Sequence, residues 1–267
     1  MAPPTASPAR QPLVAALVGG AVGFLGGVMQ VGGSGFRLPF LLLLFRYSAR
    51  QAVPINLTVS LLTVTVSLAM VVFRGARLPD HVVPVVVTMI IGGVLGSYAG
   101  ASWVARHVPE RRLRLIIRGL LVVLGSVLVA QGAIGELPRG LPVPLTPALV
   151  LAFTFGGLFG LLRSLLGIAG GEVVWPTLVI LFGLDGAAAG MAALMINVPT
   201  VGVGVARYAY DGLIGTRDDW KRVVLPMAVA SVACAVIGAM LAPSVPGALV
   251  KVVMGGLLVI TSLITMR

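Results

Sequence analysis

Long apolar runs recur along the whole chain, and they are the feature that most restricts its fold. The clearest runs cover 82–104, 115–130, 148–162, 223–241 and 252–265. A helix of about 20 apolar residues crosses the ~30 Å hydrocarbon core of a bilayer. Of all residues, 58% are hydrophobic and only 10% are charged, which leaves too little polar surface to cover a soluble globule. The sequence therefore predicts an all-α polytopic membrane protein with the lipid bilayer as its surroundings.

The net charge of +11 comes mostly from arginines in the segments between apolar runs. No basic face with interleaved aromatic residues is evident, so nucleic acid is not expected as a partner. We interpret the charge as the positive-inside bias of a multi-pass protein of the bacterial cytoplasmic (inner) membrane. Cys234 is the single cysteine, and His81 and His107 lie in predicted loops, so we expect no metal or other cofactor. The proline-rich tail at 1–12 is expected to be disordered.

The chain also contains an internal repeat. The stretch GFLGGVMQVGGSGFRLPFLLLLF at 23–45 aligns without a gap with GLLRSLLGIAGGEVVWPTLVILF at 160–182. Further matches follow at a spacing of about 140 residues, which is the mark of a duplicated unit. Among them, INLT beginning at Ile55 matches INVP beginning at Ile196. We therefore predict two homologous transmembrane repeats.

Each repeat is predicted to contain about five helical segments. The second segment has only about 10 residues, or ~15 Å of helix, which is too short to cross alone. We interpret it as one arm of a broken or re-entrant hairpin with the segment before it. The predicted parts are the tail at 1–12, a first repeat at 13–132, a proline- and glycine-rich linker at 133–146 and a second repeat at 147–267. The predicted segments are 13–31, 36–46, 50–73, 81–105, 112–132, 147–168, 173–183, 187–210, 221–242 and 248–266.

Matched loops of the two repeats differ in charge. The segment 106–118 carries five arginines, whereas its counterpart at 243–251 carries one lysine. The bias reverses at 207–222, which has four lysines and arginines against two around 74–81. Because basic loops favour the cytoplasm, we predict two inverted repeats, with both termini cytoplasmic and the linker outside. Inverted repeats are typical of transporters that hold their substrate near the bilayer midplane.

The stretch VGGSGFRLPF at 31–40 interrupts an apolar run with helix-breaking residues. Glycine lowers helix stability by about 1 kcal/mol per residue and readily adopts positive φ, so a break is predicted before the second segment. A helix N-terminus there would offer N–H donors and partial positive charge to an anion, and Arg37 would add a planar guanidinium. Close helix packing is the alternative role for these glycines. The candidate substrate-binding residues of the two hairpins are Gly32, Gly33, Ser34, Gly35, Phe36, Arg37, Gly170, Gly171 and Glu172.

Polar residues elsewhere in the spans are further candidates, because such groups are costly in hydrocarbon. Asn56 and Asn197 occupy matching positions and are either ligand donors or hydrogen-bonded contacts between helices. Arg163 and Glu172 are candidates for coupling or for an ion pair. The predicted substrate-binding set is completed by Asn56, Thr58, Trp175 and Asn197.

The paired hairpins, each followed by a long helix, resemble the TauE/SafE family, also described as sulfite exporters or toluene-sulfonate uptake permeases. The motifs QVGGSG at 30–35 and GIAGGE at 167–172 carry the resemblance, which extends over both repeats. It implies transport of small sulfur oxyanions or organosulfonates, such as sulfite or sulfoacetate. Arg37, Glu172 and the stretch PINLT at 54–58 depart from the family's general pattern.

The expected function is therefore a secondary transporter of a small sulfur-containing anion, with export favoured and the substrate held at the midplane between two half-helix N-termini. The alternatives are an importer of another small organic or inorganic anion and, less favoured, a membrane enzyme or assembly subunit. The spans contain no histidine and no acidic pair, so an enzyme is not expected. No ATP-binding loop is evident, which leaves the membrane potential or a coupling ion, proton or sodium, as the energy source. Whether the protein forms a homo-oligomer is left open.

Overall fold

The computed structural model describes residues 10–29, 34–134, 144–167 and 171–241, with 252, 255 and 256. These residues form helices joined by short connections, and none of them lies in a β-strand. The helices are α1 (Gln11–Met29), α2 (Ser34–Leu43), α3 (Ala49–Phe73), α4 (Val83–His107), α5 (Glu110–Ile134), α6 (Leu145–Leu166), α7 (Gly171–Phe182), α8 (Gly186–Tyr210), α9 (Arg217–Asp219) and α10 (Leu225–Leu241). A 3₁₀ turn at Asp80–Val82 precedes α4, and a π-helical turn at Trp220–Val224 joins α9 to α10.

Six stretches of this helical structure are long and apolar enough to cross a membrane. The prediction of an all-α polytopic membrane protein is therefore confirmed. Helix α5, whose first turns carry Glu110 and several arginines, is not among these six stretches. The six stretches are Gln11–Val28, Ala49–Phe73, Asp80–Trp103, Leu145–Leu165, Gly186–Tyr210 and Arg217–Leu241.

The second helix of each predicted repeat is short, as the sequence indicates. Helix α2 has 10 residues and α7 has 12, and each begins two residues before its predicted start. Both contain a proline at matching positions, Pro39 and Pro176. Proline has no N–H to donate to the carbonyl four residues earlier, so each short helix lacks one backbone hydrogen bond.

The long helix after each short one begins at a matched capping residue. Ser48 caps α3, where its hydroxyl accepts from the backbone N–H of Gln51 and the Gln51 side chain bonds back to the cap. Asp185 caps α8 by accepting from two backbone N–H groups. A side-chain oxygen at this position satisfies N–H groups that lack a partner within the helix. The two loops therefore end in the same way with different residues.

Several predicted parts fall outside the described residues. These are the tail at 1–9, most of the linker at 135–143, and the last predicted segment at 248–266 apart from positions 252, 255 and 256. Helix α1 begins at Gln11, within the predicted tail, and α5 continues to Ile134, within the predicted linker.

The most extensive helix contacts join α1 to α10 and α4 to α6. Each pair therefore combines the first helix of one predicted repeat with the fourth helix of the other. Both pairs run parallel, and a Cβ on Gly23 of α1 or Gly96 of α4 would overlap backbone atoms of the partner helix. Small residues allow such close approach in membrane bundles. The contacts along α1 and α10 pair Gly19 with Met227, Gly23 with Ser231 and Gly27 with Ala235.

Three connections (44–48, 108–109 and 211–216) meet on one face of the bundle. Arginines in the first connection and in the helix ends beside all three give it its name here, the arginine-rich face. The Tyr47 hydroxyl donates to Asp219 Oδ1 at 2.6 Å. The carboxylate of Glu110 accepts from the backbone N–H groups of Ala49 at 2.6 Å and Arg50 at 3.2 Å. The Tyr47 bond therefore joins the two predicted repeats at that face, and the Glu110 bonds join α3 to α5 within the first repeat.

The opposite face is formed by the 3₁₀ turn before α4, the start of α6 and the α7–α8 connection. Residues from all three, including His81, Leu145 and Leu184, line one cavity of about 230 Å³. The C-terminal end of α3, capped by Arg74, is on this side as well, because α3 begins at the arginine-rich face. The connections with many nearby arginines therefore lie on one face of the bundle, and the arginine-poor counterparts of two of them lie on the opposite face.

Candidate functional site

Arg37 lies in the first turn of α2, and its side chain is fully buried. Its Nη1 donates to Thr63 Oγ1 at 3.3 Å and to Ser231 Oγ at 3.0 Å. Its Nη2 donates to Ser60 Oγ at 3.0 Å. The hydroxyls come from α3 in the first predicted repeat and from α10 in the second. The guanidinium therefore lies where the two repeats meet.

Each of these three hydroxyls also donates its own proton to a backbone carbonyl. Ser60 donates to Asn56 O at 2.6 Å, Thr63 to Val59 O at 2.9 Å and Ser231 to Gly19 O at 2.8 Å. A hydroxyl has one proton to donate and two lone pairs to accept with. The protons are thus engaged by carbonyls, and the oxygens face the cation. An oxyanion could replace one of these oxygens as the acceptor from Arg37, and the hydroxyl would keep its bond to the carbonyl.

Asn56 connects the two hairpins. Its side chain is fully buried, and Nδ2 donates to Ser34 O at 2.8 Å and to Gly167 O at 2.6 Å. Ser34 begins α2, and Gly167 ends α6 in the left-handed conformation, with φ of 68°. One amide group therefore holds both chain breaks together, in the interhelical role that the sequence left open. Among the described residues, no group donates to Asn56 Oδ1.

A second buried arginine lies in the last turn of α6. Arg163 Nη2 donates to Asn197 Oδ1 at 2.6 Å, and Nη1 donates to the hydroxyl of Thr200. Both partners lie on α8, and all three side chains are buried. Asn197 Nδ2 has no acceptor within the described part of the chain. This second centre therefore lies inside the second predicted repeat.

Hydroxyl groups extend the second centre toward α4. Ser97 of α4 lies 2.8 Å from Ser164 Oγ and donates to Thr200 O at 2.7 Å. The Tyr208 hydroxyl donates to Ser164 O at 2.7 Å. Because every one of these residues is buried, the contacts fix α4, α6 and α8 relative to one another.

The other predicted site residues have different surroundings. Gly35 and Phe36 are buried in the first turn of α2, and Gly171 is buried at the start of α7. The Thr58 hydroxyl donates to Pro54 O of its own helix at 2.9 Å. The Trp175 indole N–H donates to Gly186 O at 3.1 Å, at the start of α8. For all of these residues, contact with a substrate stays a prediction.

Four of the predicted site positions lie outside what the structure describes. They are Gly32, Gly33, Gly170 and the side chain of Glu172. Their proposed roles as ligands or as a proton carrier therefore stay predictions as well.

Sequence reasoning missed the hydroxyls that surround the two arginines. Ser60, Thr63 and Ser67 follow Asn56 on α3 at intervals of three or four residues, which places them on one helix face. That spacing was a readable signal for a polar stripe in an apolar span. Thr200 follows Asn197 by three residues on α8, which is a similar signal, whereas Ser231 is isolated among apolar residues.

The described residues contain no group of three side chains suited to hold a metal ion. Outside the spans, the hydrogen-bonded Tyr47 is the group with a clear shift. Burial raises the pKa of Tyr47, and the hydrogen bond to Asp219 and the charge of that carboxylate raise it further. Tyr47 therefore stays a neutral donor at the arginine-rich face.

A family model described as Sulfite exporter TauE/SafE matches residues 2–128 and 129–267. The two matches together take in both predicted repeats. Among curated proteins, none matches the chain.

Proposed function

Because the chain belongs to the sulfite exporter TauE/SafE family, we propose that it is a secondary transporter of a small sulfur-containing anion across the cytoplasmic membrane. The substrate is sulfite or an organosulfonate such as sulfoacetate, and the favoured direction is export. The family resemblance inferred from the hairpin motifs is confirmed by the match to both halves of the chain. The family is one of transporters, which is in line with the expectation that the chain is not an enzyme.

The single observation that carries the proposal is the position of Arg37. A cation buried in a membrane bundle is costly, and such residues commonly serve a substrate or ion pathway. Arg37 lies at the N-terminal end of a short helix, where backbone N–H groups and the helix dipole also favour negative charge. Its planar guanidinium can bind two oxygens of one sulfur oxyanion at once.

The partners of Arg37 explain how an anion could be both bound and released. Ser60 and Thr63 belong to the first repeat, whereas Ser231 belongs to the second. A relative movement of the repeats would change the distance between Ser231 and Arg37. The number of donors and acceptors around the anion would therefore change during transport, as alternating access requires.

A second candidate function is import of another small organic or inorganic anion in the same fold. The observation that favours it is again Arg37, since this residue departs from the general pattern of the family motif. Binding of a panel containing sulfite, sulfoacetate, taurine, thiosulfate and sulfate to the purified protein would separate the two candidates. Flux into and out of proteoliposomes would then give the direction and show whether a proton or sodium gradient drives it.

The proposal is tested by substitution of Arg37. A hydrogen bond to a charged group contributes about 1.5–3 kcal/mol, so Arg37→Gln should weaken substrate binding by about 10- to 100-fold. Arg37→Lys keeps the charge without the planar fork, so its loss should be smaller. Arg222→Gln, at a half-exposed position where the side chain pairs with Asp218, is the matched control. Wild-type affinity in Arg37→Gln, measured by calorimetry, would remove the electrostatic basis of this mechanism.

A further inference from the structure

A cavity of about 80 Å³ lies between α1, α3 and α10, with α8 at one side. It has room for several water molecules or one small oxyanion. Its wall is mostly apolar, and the polar side chains in it are Ser67 and Arg74 of α3. The residues that bound it include Gly27, Ser67, Arg74, Leu194, Ala235 and Ala239.

The inner end of this cavity is one helical turn away from the partners of Arg37. Ser67 follows Thr63 by one turn on α3, and Ala235 follows Ser231 by one turn on α10. One turn of α-helix rises about 5.4 Å. On α1, Gly27 lies two residues before the end of the helix at Met29. The inner end of the cavity therefore lies about one helical turn from two of the hydroxyls that accept from Arg37.

The same inner end also approaches the second centre. Leu194 of α8 lines the cavity, and Asn197 lies one turn further along that helix. Asn197 Nδ2 is a buried donor for which the described residues offer no acceptor. The cavity therefore leads toward both buried arginine centres at once.

The outer end of the cavity lies at the C-terminal end of α3. Arg74 caps this helix, and its side chain is exposed. This end is opposite the arginine-rich face, which the charge pattern assigns to the cytoplasm. A cation at the mouth of a pocket with apolar walls raises the local concentration of anions, because the low-dielectric walls focus its field.

We propose that this cavity is the extracytoplasmic vestibule through which the small oxyanion passes between the outside and Arg37, with Arg74 attracting it at the mouth. The proposal rests on the proposed function for the identity of the anion. Ser67 offers a hydroxyl in the cavity wall, one turn from Thr63 on the helix that Arg74 caps. The vestibule continues the polar stripe of α3 that Asn56, Ser60 and Thr63 begin.

Cysteine labelling tests the vestibule without any substrate. In a Cys234→Ala background, Ser67→Cys should react with the anionic reagent sulfonatoethyl methanethiosulfonate added to intact cells. Ala76→Cys, in the exposed connection after α3, is the positive control. Leu62→Cys, on the exposed apolar side of the same helix, should be unreactive because it faces lipid. Reaction of Ser67→Cys from the cytoplasmic side alone, or no reaction in detergent, would overturn the proposal.

The charge of Arg74 is tested by comparing that reagent with the cationic trimethylammonioethyl analogue. Arg74→Gln should lower the anion-to-cation ratio of labelling rates at Ser67→Cys by about tenfold, because one charge acts on the two reagents with opposite sign. Arg77→Gln, in the same connection but outside the cavity wall, should change the ratio much less. An unchanged ratio in Arg74→Gln would remove that residue from the entrance.

Transport measurements connect the vestibule to the substrate path. Labelled Ser67→Cys should lose sulfoacetate flux in proteoliposomes, and Arg74→Gln should raise KM by about three- to tenfold with little change in kcat. Full flux after complete labelling would overturn the proposal. Labelling does not depend on the substrate, so failure of every sulfur compound to bind would remove the proposed function and leave the vestibule. If the protein binds a sulfur compound but Ser67→Cys does not react, the vestibule is removed and the proposed function is kept.

Discussion

The Arg37 and Arg163 centres offer a comparison within one molecule. Both are buried guanidinium groups at the edge of a predicted hairpin, and both donate to side chains on the long helix that follows. They differ in the kind of partner. Arg37 donates to three hydroxyls, including Ser231 of the other repeat, whereas Arg163 donates to Asn197 and Thr200 of its own repeat.

The comparison shows how two homologous repeats can acquire different roles. The asparagines at matching positions persist in both repeats, but the arginines are at positions that do not correspond in the alignment. Partners from both repeats make the surroundings of Arg37 sensitive to their relative movement. The described partners of Arg163, Asn197 and Thr200, lie within one repeat, so a relative movement of the repeats should change their distances from Arg163 less. We therefore expect Arg37 to affect transport and Arg163 to affect stability.

The largest expected effect is on the stability of Arg163→Met. The substitution removes two hydrogen bonds from a charged donor, and it leaves the buried Asn197 Oδ1 without the Arg163 N–H that it accepts from. We expect a loss of about 2–4 kcal/mol in the free energy of unfolding. In Arg37→Met the three hydroxyls keep their own carbonyl bonds, so the loss should be clearly smaller. Unfolding in detergent, followed by circular dichroism, measures both, and equal losses would contradict the distinction.

The two asparagines should respond differently to aspartate. Asn56→Asp removes the N–H donors that bind two carbonyls, and we expect a loss of about 2–3 kcal/mol. Asn197→Asp keeps the oxygen that accepts from Arg163 and replaces an N–H group that has no acceptor among the described residues. We expect a change below about 1 kcal/mol there. Thermal unfolding of the two variants at neutral pH checks the order, and a greater loss in Asn197→Asp would reverse our interpretation.

Matched glycines in the two parallel helix pairs should respond alike. A Cβ at Gly96 would overlap Gly157 O of α6, and one at Gly238 would overlap Phe24 O of α1. Alanine at either position should lower stability by about 1–3 kcal/mol through overpacking. Gly119→Ala on α5 is the control, since no described atom lies near its Cβ position, and it should stabilise by about 0.5–1 kcal/mol. A stabilising Gly96→Ala would show that α4 and α6 do not pack as described.

A small loss of stability is also expected at the arginine-rich face. Tyr47→Phe removes the 2.6 Å hydrogen bond to Asp219 across the two repeats. Because the pair is half-buried, we expect a loss of about 1 kcal/mol in unfolding free energy. Asp219 also accepts from Thr216, so the α9 capping contact should persist in the variant. An unchanged melting temperature would show that the Tyr47–Asp219 hydrogen bond contributes little to joining the repeats.

The predicted helices were close to the observed ones because local patterns carry that information. The starts of α2 and α7 differ by two residues from prediction, since a glycine-rich stretch marks a break without fixing the first helical residue. The capping residues Ser48 and Asp185 fix the starts of α3 and α8, which were each predicted within one residue. The family and the transporter class followed from the hairpin motifs in the same way.

The sequence by itself determined the all-α membrane class, the two short helices, the matching asparagines and the presence of Arg37 in a helix start. Only the tertiary structure decided that Arg37 reaches Ser231, which lies 194 residues away, and that α1 pairs with α10 and α4 with α6. In a soluble protein an apolar helix face would point toward its partner. Lipid is as apolar as the bundle interior, so spans are apolar on all sides, and close packing at glycines chooses the partners instead.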